Sequence, residues 1–223
     1  MISPTFPAIV RAVQNDHLTY LSAGALNDLH LLISEIERRG TPGIVIEAGC
    51  ALGGSAIVLA SAKAQWRPFF IYDVFGMIPP PSDRDDTDVH ERYKVIHSGA
   101  SSGIGGNPYY GYDPNLYETV IQNFLRHGLD PNDLNIKMIK GLFEDTIELE
   151  NFEVAVAHID GDWYHSVMTC LMRIAPRLVQ GGVLVIDDYD SWSGCRRAVD
   201  EYFSTRSAEF TFVKRERLHI VRK

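Results

Sequence analysis

Two apolar runs in the second half of the chain, Val154 to Ile159 and Val183 to Ile186, end abruptly in acidic residues. The first closes as His158-Ile-Asp160-Gly-Asp162 and the second as Ile186-Asp187-Asp188-Tyr189. Between them Val167, Cys170, Leu171, Ile174 and Leu178 recur at helical spacing. A run, an amphipathic helix and a second run form a strand–helix–strand unit. Sequential parallel strands usually lie side by side, about 4.8 Å apart. Both acidic tips then fall at the carboxyl edge of one sheet, where open α/β sheets bind ligands.

The rest of the chain continues the alternation. Leu26, Leu29, Ile33 and Ile36 share a helical face that stops at Gly40-Thr-Pro-Gly43. A buried strand follows at Ile44 to Ile46, then a small-residue helix opened by Gly53-Gly54-Ser55 and running to about Ala64, then a strand from Pro68 to Asp73. A helix from about Asn115 to His127 and a strand at Ile136 to Ile139 precede the acidic strands. Gly181-Gly182 is read as closing the helix between them. A helix from about Gly194 to Phe203 leads to a hairpin, Phe210 to Val213 and Leu218 to Val221, turning at Lys214 to Arg217. The expected fold is α/β and Rossmann-like: a mainly parallel sheet with helices on both faces and an antiparallel C-terminal hairpin. The chain is read as one domain, 1–223, with a short helical N-terminal segment (about 1–40).

Phe75 to Tyr117 breaks the pattern. It holds Pro79-Pro80-Pro81, an acidic run from Asp83 to Asp88, a glycine-rich stretch from Ser98 to Gly106, and Tyr109, Tyr110 and Tyr112. It is too long for an ordinary connection and reads as a lid insertion (about 75–117). The tyrosines suit stacking on an acceptor or local packing equally.

A net charge of -8 without a Lys/Arg block argues against nucleic acid and anionic membranes as partners. Three widely spaced cysteines, Cys50, Cys170 and Cys195, offer neither a zinc motif nor a disulfide framework. Reduced thiols and a cytoplasmic setting are expected. Met1 to Pro7 lacks the charged and apolar regions of a signal peptide. The most apolar window, Gly43 to Ala62, holds Glu47 and several glycines and serines, so strand, turn and helix explain it better than a membrane span.

Two constellations carry chemistry. In Glu47-Ala-Gly49-Cys-Ala-Leu-Gly53-Gly54-Ser55 the first glycine makes the tight turn off the strand, and the later pair lets backbone approach a ligand. The spacing is neither GxxxxGK[ST] nor GxGxxG. Asp73 ends the next strand, 24 residues after Gly49, where an acid accepts hydrogen bonds from ribose hydroxyls. The second constellation is Asp160, Asp162, Asp187 and Asp188. Four converging carboxylates repel and hold protons unless a cation is present. A hard cation with oxygen ligands, Mg²⁺ above all, answers that problem. Asp162 could instead cap the following helix, and His158, in an apolar strand, reads as a buried structural histidine. His165 and Trp192 are further candidates for the acceptor side.

At these residues the sequence resembles the macrocin O-methyltransferase (TylF) family, through Lys140-Gly-Leu-Phe-Glu-Asp-Thr146, His158-Ile-Asp-Gly-Asp162, Ile186-Asp-Asp-Tyr189 and Arg196-Arg-Ala-Val-Asp-Glu-Tyr-Phe203, with a looser likeness back to Glu47. About three quarters of the chain is covered. The resemblance implies a class I methyltransferase fold and an enzyme dependent on S-adenosylmethionine and Mg²⁺ that methylates sugar hydroxyls of glycosylated natural products. By position it implies Asp160, Asp187 and Asp188 as metal ligands and Asp162 as general base. Glu47, Gly49, Ser55, Asp73 and Asp160 would belong to the cofactor site, with Phe143 and Glu144 or Asp145 near the adenine. A glycosylated small-molecule acceptor and a homo-oligomer follow from the same likeness. After the second strand this chain reads Val74-Phe-Gly-Met-Ile-Pro79 where the family often reads close to Ser-Phe-Glu-Gly-Leu-Pro.

Three other readings stay open. A catechol-type O-methyltransferase shares the metal logic. A non-catalytic cofactor-binding module has no need of converging carboxylates. A nicotinamide-dependent oxidoreductase sits poorly with the missing GxGxxG and the final hairpin.

Overall fold

The computed structural model describes residues 6–223, so expectations placed on 1–5 lie outside the described residues. Helices α1 (Ala8–Asn15) and α2 (Ala23–Arg39) come first, and Ser22 caps α2 by accepting from the Ala25 N–H. Gly40 ends α2 in the left-handed conformation, at φ 66°. Then follow β1 (Ile44–Ala48), α3 (Gly54–Ala62), β2 (Phe69–Asp73), α4 (Thr87–His97), α5 (Leu116–Arg126), β3 (Ile136–Lys140), α6 (Phe143–Thr146) and β4 (Val154–Ile159). The chain closes with α7 (Tyr164–Ile174), β5 (Leu178–Ile186), α8 (Ser193–Phe203), β6 (Phe210–Lys214) and β7 (Leu218–Arg222).

The seven strands form one sheet in the order β3-β2-β1-β4-β5-β7-β6. β1 to β5 pair in parallel, and β7 runs antiparallel between β5 and β6. Side chains alternate between the two faces, as the pleat requires. Val45, Val183 and Val185 pack with α1, α2, α3 and α5, whereas Ile44, Ile46, Leu184 and Ile186 pack with α7 and α8. α3 is buried from Gly54 to Ala60 because α1 and α2 lie over it. A helix apolar all round must be covered in this way.

At the opposite edge from the acidic tips, Arg67 has a fully buried side chain. It bonds Glu37 through Nε at 2.6 Å and the Thr41 and Gly43 carbonyls through its other nitrogens, tying the end of α2 to the start of β2.

Two expectations are corrected. Residues 75–117, expected to break the regular pattern, hold a helix, α4, and two short 3-10 turns before α5 begins at Leu116. Gly181 and Gly182 lie inside β5, which begins at Leu178. The helix before it stops at Ile174, and a bulge in the β4–β5 pairing absorbs the irregularity. No helix among the described residues is long and apolar enough to cross a membrane.

Candidate active site

The loops at the carboxyl ends of β1, β2, β4 and β5 enclose two adjoining cavities. The first is lined by Gly49, Asp73, Phe143, Glu144, Asp160 and Ser166 among others. The second lies between Leu18 to Leu21, α4, the tyrosine turn and the acidic tips. Ala51, Ile78, Tyr110, Asp160 and Asp162 line both. The cavities therefore meet at the two acids that end β4.

The floor of the first cavity depends on Gly49. Its φ is +90°, and a Cβ there would collide with the Asp160 carbonyl oxygen. Only glycine lets the β1 turn pass so close to the end of β4. Asp73 is buried, and its carboxylate accepts from the backbone N–H groups of Cys50 (2.7 Å), Ala51 (3.3 Å) and Phe75 (2.6 Å). Burial pushes its pKa up against those three bonds. Asp73 thus shapes the turn and also faces the cavity.

Glu47 departs from its expected place. Its side chain is 0% exposed and lines neither cavity; Oε1 accepts from the Ser55 hydroxyl and Oε2 lies 3.0 Å from His158 Nδ1. Glu47 and His158 are cross-strand partners in the β1–β4 pairing. Ser55 borders the second cavity, not the first. Asp145 is exposed and lines neither, whereas Phe143 and Glu144, two and one residues before it on the short α6, line the first. His165 is exposed, 3.6 Å from Glu144, and lines neither cavity.

Asp160, Asp187 and Asp188 each offer a carboxylate oxygen within 4.8 Å of the others. Burial and the charges of Asp187 and Asp188 push Asp160 well above the usual carboxylate range, and burial with Asp187 pushes Asp188 up to about 6. Burial would raise Asp187 too, but His158 and Arg217 outweigh it and hold it low. His158 Nε2 stands 3.4 Å from Asp187 Oδ1, and Arg217 Nε stands 2.7 Å from the same oxygen. Burial disfavours a charged His158, yet Glu47 and Asp187 raise it to about 10. Asp188 Oδ2 is buried with no hydrogen-bond partner among the described residues. Three clustered carboxylates and an unpartnered buried oxygen fit a hard divalent cation.

Asp162 stands apart from this triad, at φ +53°. That left-handed backbone is uncommon outside glycine and turns its carboxyl toward the junction of the cavities. Burial, then Asp188 and Asp187, push its pKa well up; a hydrogen bond with Trp192 and the charge of Arg92 act the other way. As a cap of α7 it is replaced by Asp85, whose Oδ1 accepts from the Tyr164 N–H at 2.8 Å.

Asp85 belongs to the 75–117 segment, and that segment is clamped at several points. The Trp163 indole donates to the Pro79 carbonyl at 3.0 Å, Arg197 forks onto Asp86 at 2.7 and 2.8 Å, and the Ser193 N–H donates to Asp88 at 3.0 Å. Tyr109 is buried, Tyr110 lines both cavities, and the Tyr112 hydroxyl donates to the Ile96 carbonyl. Trp192 lines the second cavity edge-on to Trp163, 5.6 Å between ring centroids. Arg92 and Arg217, which also line it, carry no signal in the sequence. Arg92 sits on the unforeseen α4, and Arg217 looked like a hairpin-turn residue.

The sequence matches the family described as Macrocin-O-methyltransferase (TylF) over residues 13–214. It is 31% identical over 194 residues to the mycinamicin III 3''-O-methyltransferase of Micromonospora griseorubida, covering 82% of this chain and 69% of that one. It is 30% identical over 189 residues to the 8-demethyl-8-(2,3-dimethoxy-alpha-L-rhamnosyl)-tetracenomycin-C 4'-O-methyltransferase of Streptomyces olivaceus, covering 82% and 67%. Among solved structures the O-methyltransferase NovP superposes with a TM-score of 0.77 at 22% identity, over 92% of this chain and 82% of that one. That likeness shows the fold, a class I methyltransferase sheet.

Proposed function

The chain belongs to the macrocin O-methyltransferase family and is an S-adenosylmethionine-dependent O-methyltransferase, and from that premise we propose that its acceptor is a sugar hydroxyl of a glycosylated natural product, methylated at a divalent-cation centre. The observation that carries this reading is the meeting of two cavities at Asp160 and Asp162. The relatives support the acceptor class, since one is named for 4'-O-methylation of a rhamnosyl-tetracenomycin C and another for 3''-O-methylation of mycinamicin III.

In this reading the first cavity holds the nucleoside. Gly49 would give the backbone approach, Asp73 would take the ribose hydroxyls, and Phe143 and Glu144 would bind the adenine. Asp160, Asp187 and Asp188 would hold a Mg²⁺ or similar ion. Such an ion lowers the pKa of a hydroxyl and fixes its position. The acceptor would occupy the second cavity, which Tyr110 and Trp192 line. Asp162 removes the hydroxyl proton. The clamped 75–117 segment keeps water from the junction.

The test is transfer of labelled methyl from S-adenosylmethionine to a panel of glycosides and catechols, in Mg²⁺ and after chelation. Glycosides are labelled, catechols are not, and chelation stops the reaction until Mg²⁺ is restored. Labelling of catechols alone establishes the catechol-type reading instead, and undiminished turnover after chelation removes the metal.

A further inference from the structure

We infer that Arg217 is a built-in counter-charge of the cation site, fixing how tightly the three aspartates hold a divalent ion; this rests on the metal-centre reading above. The placement follows from sheet register. β7 pairs antiparallel with β5, Leu218 opposite Ile186, so one step further along each strand sets Arg217 beside Asp187. Its Nε lies 2.7 Å from Asp187 Oδ1, and its side chain is 27% exposed.

The neighbouring residues hold it there. Arg215 reaches Asp28 on α2 at 3.4 Å, and Glu216 accepts from the Ser22 hydroxyl at 3.5 Å. Three successive residues of one turn therefore contact the N-terminal helices and the acidic cluster. These contacts anchor the backbone from which Arg217 reaches the cluster.

The charges decide what that anchoring does. Asp160, Asp187 and Asp188 carry three negative charges when ionised. His158, which also reaches Asp187, is matched by Glu47 on its other side. An arginine is always charged, so Arg217 leaves the triad two charges short of neutral, the charge of one divalent ion. Without it the same ion enters a site with one more unbalanced negative charge, and the attraction grows as Coulomb's law requires. A site tuned in this way exchanges its ion more readily than three unopposed carboxylates would.

The experiment is Mn²⁺ binding followed by electron paramagnetic resonance, with neither cofactor nor acceptor present. It compares wild type, Arg217→Gln and Arg217→Lys. Arg217→Gln binds Mn²⁺ about tenfold more tightly, the order expected for removing one adjacent unit charge in a partly solvated site. Arg217→Lys, which keeps the charge, stays within about twofold of wild type. If Arg217 only braces the hairpin, Arg217→Gln binds Mn²⁺ equally or more weakly, and the inference falls while the metal centre stands.

Should Arg217→Gln fail to fold, the comparison is Asp187→Asn with Asp187→Asn/Arg217→Gln, which leaves no lone charge at the pair. The double variant then binds about tenfold more tightly than the single, and equal or weaker binding overturns the inference. Wild type that takes up no Mn²⁺ removes the metal-centre reading and this inference with it.

Discussion

His158 Nδ1 faces Glu47 Oε2 at 3.0 Å across the β1–β4 pairing, and neither side chain has any exposed surface. The pair links the glycine-turn strand to Asp187 through His158 Nε2. A buried pair of this kind is costly to break, because the surviving partner is left charged without solvent. Glu47→Ala and His158→Ala each destabilise the fold by about 3–5 kcal/mol in urea unfolding. The double replacement costs less than their sum. Single variants within about 1 kcal/mol of wild type would show that the pair is not ionised.

Gly49→Ala forces a methyl group toward the Asp160 carbonyl at a residue already in the left-handed region. The ends of β1 and β4 must separate, which widens the first cavity and displaces Asp160. S-adenosylhomocysteine affinity, measured by calorimetry, drops by about tenfold or more, and stability falls by about 1–3 kcal/mol. Unchanged affinity would mean that the nucleoside does not lie on this turn.

Asp162→Asn keeps the shape of the junction but cannot accept the acceptor's proton. Turnover falls by about 10²–10⁴-fold while S-adenosylhomocysteine affinity stays within about twofold. Near-normal turnover removes Asp162 from the proton transfer. A parallel loss of nucleoside affinity makes it a binding residue instead.

Acid–base linkage gives a prediction for the metal-free protein. Asp160 is pushed well up and Asp188 to about 6, both above the value of an unfolded chain. Groups raised in the folded state stabilise it at low pH, and that stability is lost as pH rises through the folded value. The chelated protein therefore loses thermal stability between about pH 4 and pH 6 and above. Mg²⁺ opposes the loss, so the rise in Tm on adding Mg²⁺ is larger at pH 7.5 than at pH 5. An equal rise at both pH values would place the ion elsewhere.

Much of this was legible in the residues. The acid-tipped runs at Asp160 and Asp187-Asp188 predicted adjacent strand ends, and the structure brings those three carboxylates together. The glycine turn and Asp73 predicted one wall of a cavity, and both line it. The failures share a physical cause: partners distant in sequence. Glu47 sits in a ligand-binding motif, yet its partners are Ser55 and His158, and nothing local announces a cross-strand pair. α4 buries only Val89 and Ile96, so its sequence lacks an apolar stripe, and ties to α8 hold it. Arg217 reaches Asp187 only because β7 inserts beside β5.

The most direct measurement is calorimetric titration of S-adenosylhomocysteine into the purified protein, once in Mg²⁺ and once in EDTA. If the first cavity is the nucleoside site and the cation serves the acceptor, dissociation constants are on the order of micromolar in both buffers. Absence of binding in both would contradict the cofactor site built on Gly49, Asp73 and Asp160.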